Sequence, residues 1–109
     1  MQEITVTSLE ELNDAISAHP LVLVDFFKDN CAGCAMLAKS LDVLDKRFEV
    51  DDVVLIKAKM ETVGEDAFVG LGLRMLPTLM VYKAGALQKK LVGSSSPAII
   101  NTALVKARK

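Results

Sequence analysis

Two cysteines stand three positions apart in Cys31-Ala32-Gly33-Cys34, directly after the apolar run Leu21 to Phe27 and at the start of a helical pattern. A cysteine at a helix N-terminus meets unpaired N–H groups and the positive end of the helix dipole, and both favour an anion. The thiolate so stabilised is the nucleophile of disulfide exchange. Cys31 has that position. Cys34 lies one turn along the same face, near enough to close a short disulfide. The pair suits a dithiol–disulfide couple that switches with little backbone movement. The bland alternative, two small apolar residues in a helix, fits poorly, because a strand–CxxC–helix context is rare without redox use.

A zinc site needs about four ligands, and only His19 is available to join the cysteines. His19 stands beside Pro20 at a helix end, where a surface histidine satisfying a last carbonyl is the simpler account. Two CxxC pairs from two copies would supply the four thiolates of an iron–sulfur cluster, a weaker alternative. No metal and no bound cofactor is expected.

Asp25 interrupts the apolar strand just before the cysteines. An ionised carboxylate there is costly unless paired, so its pKa is expected to rise toward a value useful for proton transfer. That gives it a role: accepting the proton of Cys34 as this thiol attacks a mixed disulfide. An edge-facing aspartate is the alternative, and the apolar residues on either side speak against it. Lys57 breaks the neighbouring strand, as a charge partner or as a solvated lysine.

Around these residues the pattern gives an α/β domain. Ile4 to Thr7 alternates and reads as a strand. Ser8-Leu9-Glu10-Glu11 has the form of a capping box before a helix that Pro20 closes. Leu21 to Phe27 is apolar without alternation, as in a central parallel strand covered on both faces. A helix over about Cys31 to Phe48 and a strand over Val53 to Ala58 complete a right-handed crossover. Glu65 to Leu71 reads as a short helix. Thr78 to Lys83 and Leu87 to Val92 read as an antiparallel hairpin through Ala84-Gly85-Ala86. Ser96-Pro97 opens the last helix. The order is βαβαβαββα, a central mixed sheet of five strands between four helices. Pro77 opens a strand, where its missing donor is tolerated.

Composition bounds the partners. The chain has 109 residues, 51% hydrophobic and 25% charged, enough for one domain with its own core. Thirteen Lys and Arg against fourteen Asp and Glu give a net charge of −1, without the basic excess of a nucleic-acid or anionic-membrane binder. Five aromatics and no tryptophan make a poor base-stacking surface. No secretory signal opens the sequence, and the apolar runs are too short to span a bilayer, so a cytoplasmic location is expected. There a close cysteine pair reads as catalytic or metal-binding rather than as a disulfide framework.

Val24-Asp25-Phe26-Phe27, Cys31-Ala32-Gly33-Cys34, Gly72-Leu73-Arg74-Met75-Leu76-Pro77-Thr78-Leu79, Tyr82-Lys83-Ala84-Gly85 and Val92-Gly93 together resemble the thioredoxin family, from about Ile4 to Lys106. The resemblance implies the thioredoxin fold in a single domain over residues 1–109. It implies that Cys31 is the exposed attacking cysteine and Cys34 the buried resolving one, with Asp25 as the buried acid and Lys57 as its nearby lysine. Pro77 matches the cis-proline that faces the cysteines. A cis bond there sets the Met75-Leu76 backbone where an extended substrate segment can hydrogen-bond. Gly93 matches a glycine that leaves space beside the site, and Val92 borders the same groove. Asn30, Ala32, Gly33, Met75, Leu76, Pro77, Val92 and Gly93 are thus the expected substrate contacts.

The likeness has departures. Thioredoxins usually carry Trp-Cys-Gly-Pro-Cys; here Asn30 replaces the tryptophan and Ala32-Gly33 replaces Gly-Pro. Phe27 stands for a second tryptophan, Ala35 for a basic residue and Lys39 for a helix-kinking proline. A more polar groove and a different partner set follow. The implied activity is a thiol–disulfide oxidoreductase that reduces protein disulfides and is recharged by thioredoxin reductase or an equivalent reductant, working as a monomer. Two alternatives carry weight. One is a glutaredoxin-like or dedicated electron donor, for example to ribonucleotide reductase. The other is a binding module centred on Met75, Leu76 and Val92.

Overall fold

The computed structural model describes residues 1–109. Strand β2 (Leu21–Phe27) lies at the centre, and its side chains divide by parity between two cores. Leu21 and Leu23 pack with Leu37, Leu41 and Leu44 on one face; Val22, Val24 and Phe26 pack with Leu12, Ile16 and Phe68 on the other. Val22, Leu23, Val24 and Phe26 are fully buried. Each such side chain stabilises the fold by roughly 1.5–3 kcal/mol relative to exposure. A run without alternation is therefore two alternating sets, each facing its own layer.

The sheet order is β1-β3-β2-β4-β5, with β1 (Gln2–Val6), β3 (Val54–Lys59) and β2 parallel and β4 (Thr78–Lys83) and β5 (Ala86–Val92) antiparallel. Helix α2 (Ala32–Arg47) and helix α5 (Pro97–Arg108) contribute Leu37, Leu41, Leu44, Ile100 and Leu104 to one core. Helix α1 (Leu9–Ala18) and helix α4 (Glu65–Gly70) contribute Leu12, Ile16 and Phe68 to the other.

Three expectations change in detail. The fold has five helices rather than four, because the one-turn helix α3 (Met60–Val63) precedes α4. Four residues with no buried side chain leave no periodic signal, and Gly64, at φ 120°, separates the two helices. The capping box closes one residue early. Ser8 accepts from the Glu11 N–H at 3.1 Å, but the Glu11 carboxylate takes the N–H of Thr7 at 2.6 Å. The hairpin connection shortens to Ala84-Gly85, both at positive φ, which is the two-residue turn whose twist matches the strands.

The site falls where several elements end together. The carboxyl ends of the parallel strands β2 and β3, the start of α2 and the start of β4 meet on one edge of the sheet.

Candidate active site

Cys31 is the N-cap of α2, with extended backbone at φ −131°. Its sulfur accepts from the Cys34 N–H at 3.2 Å, the bond a serine hydroxyl makes at an ordinary N-cap. That N–H and the helix dipole stabilise negative charge on the same sulfur. Cys31 and Cys34 are joined in a disulfide with their Cα atoms 5.2 Å apart, within the usual range for such a bond. Cys31 is half-buried, whereas Cys34 is 7% exposed.

Asp25 and Lys57 are register partners across β2 and β3, so both side chains leave the sheet on the α2 face. Lys57 Nζ reaches Asp25 Oδ2 at 2.7 Å and lies 4.7 Å above the centre of the Phe27 ring. Asp25 is 1% exposed, and its Oδ1 has no hydrogen-bond partner. Burial pushes the Asp25 carboxyl above the ordinary aspartate range; the Lys57 ammonium pulls it back only in part. Of the two readings of Lys57, the structure gives the charge partner.

An open cleft of about 510 Å³ joins these groups: Asp25, Phe27, Cys31, Cys34, Ala35, Ala38 and Lys57 all line it. Ala35 and Ala38 lie on the side of α2 that faces the cleft, and their size leaves it open. Residues 35 and 38 carried this signal only jointly, and Ala38 escaped the sequence reading. The cleft reaches both the acid and the resolving sulfur.

On the other side of Cys31 stands the start of β4. The Leu76–Pro77 bond is cis, and Pro77 is buried. The Leu76 carbonyl oxygen lies 3.9 Å from Cys31 Sγ. A Cβ on Gly33 would stand 3.2 Å from Pro77 Cδ, so the glycine lets the helix start approach the proline ring. Gly93 N–H donates to the Pro77 carbonyl at 2.8 Å, drawing the end of β5 to the same side. Gly93 has φ 84°, and nothing lies within 4 Å of where its Cβ would be. Met75 and Val92 are 59% and 54% exposed, Leu76 is half-buried, and Ala32 and Asn30 are exposed on the cysteine side. Of the residues named as substrate contacts, Asn30 and Ala32 line the cleft with the cysteines, and the Leu76 carbonyl approaches Cys31. Asn30 has φ 53°, left-handed backbone that asparagine tolerates better than most residues.

Sequence reasoning missed a second group beside the loop. Glu61 accepts from the Asp29 N–H at 3.0 Å, and Lys59 pairs with the Asp29 carboxylate at 3.0 Å. Both come from the β3–α3 corner, whose helix left no pattern to read. His19 is the C-cap of α1, and no group of three or more His, Cys, Asp or Glu is placed to hold a metal ion.

A disulfide at the mouth of a helix with a buried acid behind it is the arrangement of dithiol–disulfide exchange proteins. Residues 3–106 match the family model described as Thioredoxin. Thioredoxin 1 of Plasmodium falciparum is 32% identical over 94 residues, 86% of this chain and 88% of its own. Thioredoxin of Chlamydia caviae is 34% identical over 90 residues, 83% and 84% of the two chains. Among solved structures, a mutant thioredoxin from Halobacterium salinarum superposes with TM-score 0.84 at 23% identity over 99% of this chain and 92% of that one, a likeness of fold. Plasmodium falciparum thioredoxin gives TM-score 0.78 at 29% identity over 92% and 95% of the chains. The chain belongs to the thioredoxin family, and it is a thiol–disulfide oxidoreductase. No helix in it is long and apolar enough to cross a membrane.

Proposed function

We propose that this chain reduces disulfides in protein substrates, with Cys31 as nucleophile and Cys34 as resolving thiol. The reduced pair starts the cycle. Cys31 thiolate attacks one sulfur of the substrate disulfide, forming a mixed disulfide and expelling the other substrate sulfur as thiolate. Ionised Asp25 takes the proton of Cys34, directly or through water in the cleft. Cys34 thiolate then attacks Cys31 Sγ, breaks the mixed disulfide and releases the second substrate sulfur. The chain is left with the Cys31–Cys34 bond, and a reductant such as thioredoxin reductase returns two electrons.

One observation carries the reading: the two sulfurs are bonded at the start of α2, on the cleft that also holds a buried carboxylate. The exposed side chains of Met75 and Val92 support docking of an extended substrate segment beside Pro77. Asn30, Ala32, Gly33 and Gly93 complete that groove in the proposal. The net charge of −1 supports protein substrates over nucleic acid, and we assign the protein to the cytoplasm as a monomer. A dedicated donor or glutaredoxin-like role is the second reading, favoured by polar Asn30 at the rim.

Insulin reduction coupled to NADPH and thioredoxin reductase tests the proposal. Wild type turns over, Cys31→Ser is inactive, and Cys34→Ser accumulates a covalent substrate adduct visible by mass spectrometry. Turnover that persists in Cys31→Ser ends the proposal. Recharging by glutathione in place of the reductase selects the second reading.

A further inference from the structure

The loop that delivers Cys31 is held by almost nothing of its own. Lys28, Asp29 and Asn30 are exposed, and no backbone–backbone hydrogen bond joins Asp29 or Asn30 to the rest of the chain. Asn30 also sits in left-handed backbone, a conformation that needs outside support in a residue with a side chain. Yet Cys31 Sγ must stay 3.2 Å from the Cys34 N–H, because that contact and the helix start are what favour its thiolate.

Two tethers reach the loop, one from the end of β3 and one from α3. Lys59 is the register partner of Phe27, so the corner after β3 rises beside the loop after β2. The Glu61 carboxylate accepts from the main-chain N–H of Asp29 at 3.0 Å. Lys59 Nζ pairs with the Asp29 carboxylate at 3.0 Å. One residue is thus gripped by main chain and side chain at once, which fixes both its position and its rotation. A charge-assisted bond to a main-chain N–H is the stronger arm; the exposed ion pair is the weaker one. No apolar residue of this loop anchors it, since Lys28, Asp29 and Asn30 are all polar and exposed.

We infer that Glu61 and Lys59 are positioning residues for the nucleophile: they clasp Asp29 so that the loop presents Cys31 on the first turn of α2. The inference rests on the dithiol reading of the site and adds to it two residues that touch no reacting atom. Losing the clasp lets the loop sample other shapes, in which the sulfur leaves the Cys34 N–H and its thiolate is less favoured.

The test uses the full reduced chain with Glu61→Ala, Glu61→Gln and Asp29→Ala. The readouts are the rate of Cys31 alkylation by iodoacetamide against pH, insulin turnover, and the urea midpoint. In Glu61→Ala the alkylation midpoint moves to higher pH, and the rate at neutral pH falls about fivefold, the equivalent of one ordinary hydrogen bond. The urea midpoint stays near wild type. Glu61→Gln keeps the wild-type pH profile, because its amide oxygen still accepts from the Asp29 N–H. Asp29→Ala shifts the profile less, and added salt moves the wild-type profile toward it. A Glu61→Ala profile that overlies wild type overturns the inference, and so does a Glu61→Gln profile displaced as far as Glu61→Ala. The dithiol reading is judged separately, by the loss of turnover in Cys31→Ser.

Discussion

Asp25 and Lys57 face each other at one level of two parallel strands, and their ion pair is lopsided. One carboxylate oxygen holds the ammonium at 2.7 Å; the other is buried without a partner. Burial raises the Asp25 carboxyl, the Lys57 charge and hydrogen bond oppose that rise, and Glu3 adds to it from a distance. The fold therefore holds the Asp25 proton more tightly than water would. A carboxylate whose pKa is raised suits proton exchange with a thiol better than an ordinary aspartate does.

That imbalance has a sign in stability. The native state holds the Asp25 proton more tightly than the unfolded chain does. Its contribution is present below the ordinary aspartate pKa and is lost as pH rises through the higher native value. Asp25→Asn removes the titration. The variant is expected to be more stable than wild type at neutral and alkaline pH, with the gap closing in acid. Urea melts of both proteins at acid, neutral and alkaline pH measure it. The same variant slows resolution of the mixed disulfide by roughly 10- to 100-fold, at or below the low end for a lost general base, because water in the cleft partly replaces it. A wild-type advantage that grows with pH contradicts the assignment.

Gly33 and Pro77 make a second testable contact. Alanine at position 33 gains about 0.5–1 kcal/mol in the helix relative to glycine. Its Cβ would also press on Pro77 Cδ at 3.2 Å, tighter than an ordinary contact. The proline ring is buried and rigid, so the start of β4 must yield by a few tenths of an ångström. The two effects nearly cancel in stability, and Gly33→Ala is expected to melt within about 1 kcal/mol of wild type. The strain appears in the groove instead. KM for a protein disulfide rises severalfold with kcat little changed, read from insulin-reduction kinetics. An unchanged KM shows that Pro77 can move without effect on docking.

Most of what positions the chemistry was legible from residue types. Leu21 to Phe27 announced a covered strand because both parities are apolar, and Asp25 stood out because it broke that run. Cys31-Ala32-Gly33-Cys34 marked the helix start, and Ser96-Pro97 the last one. The unread parts share a cause: their signals are short or lie across the chain. Helix α3 has four residues and buries none of them, so no period betrays it. The Glu61–Asp29 clasp spans 32 positions and uses exposed side chains, which look like ordinary solvated charges in sequence. Glu11 turned to Thr7 rather than to its own cap, a choice between two neighbouring N–H donors that spacing alone does not make. The cleft is a product of small residues, and two alanines on a helix signal nothing until the strand opposite is known.

Asn30 separates conformational from packing effects, because its side chain is exposed and its backbone is not free. At φ 53° a β-branched residue meets its own carbonyl and costs roughly 1–2 kcal/mol, while glycine adopts the same angle without strain. Asn30→Val is therefore expected to lower stability by about that amount, and Asn30→Gly to stay within about 0.5 kcal/mol. The chain has a second way to relieve the strain: the loop flips to negative φ and carries Cys31 off the helix start. In that case stability is kept and the neutral-pH alkylation rate of Cys31 falls in Asn30→Val alone. Urea melts and alkylation profiles on the two variants distinguish these routes, and the second ties the left-handed angle to the nucleophile. Wild-type stability together with a wild-type alkylation profile in Asn30→Val shows that position 30 exerts no hold on the sulfur beside it.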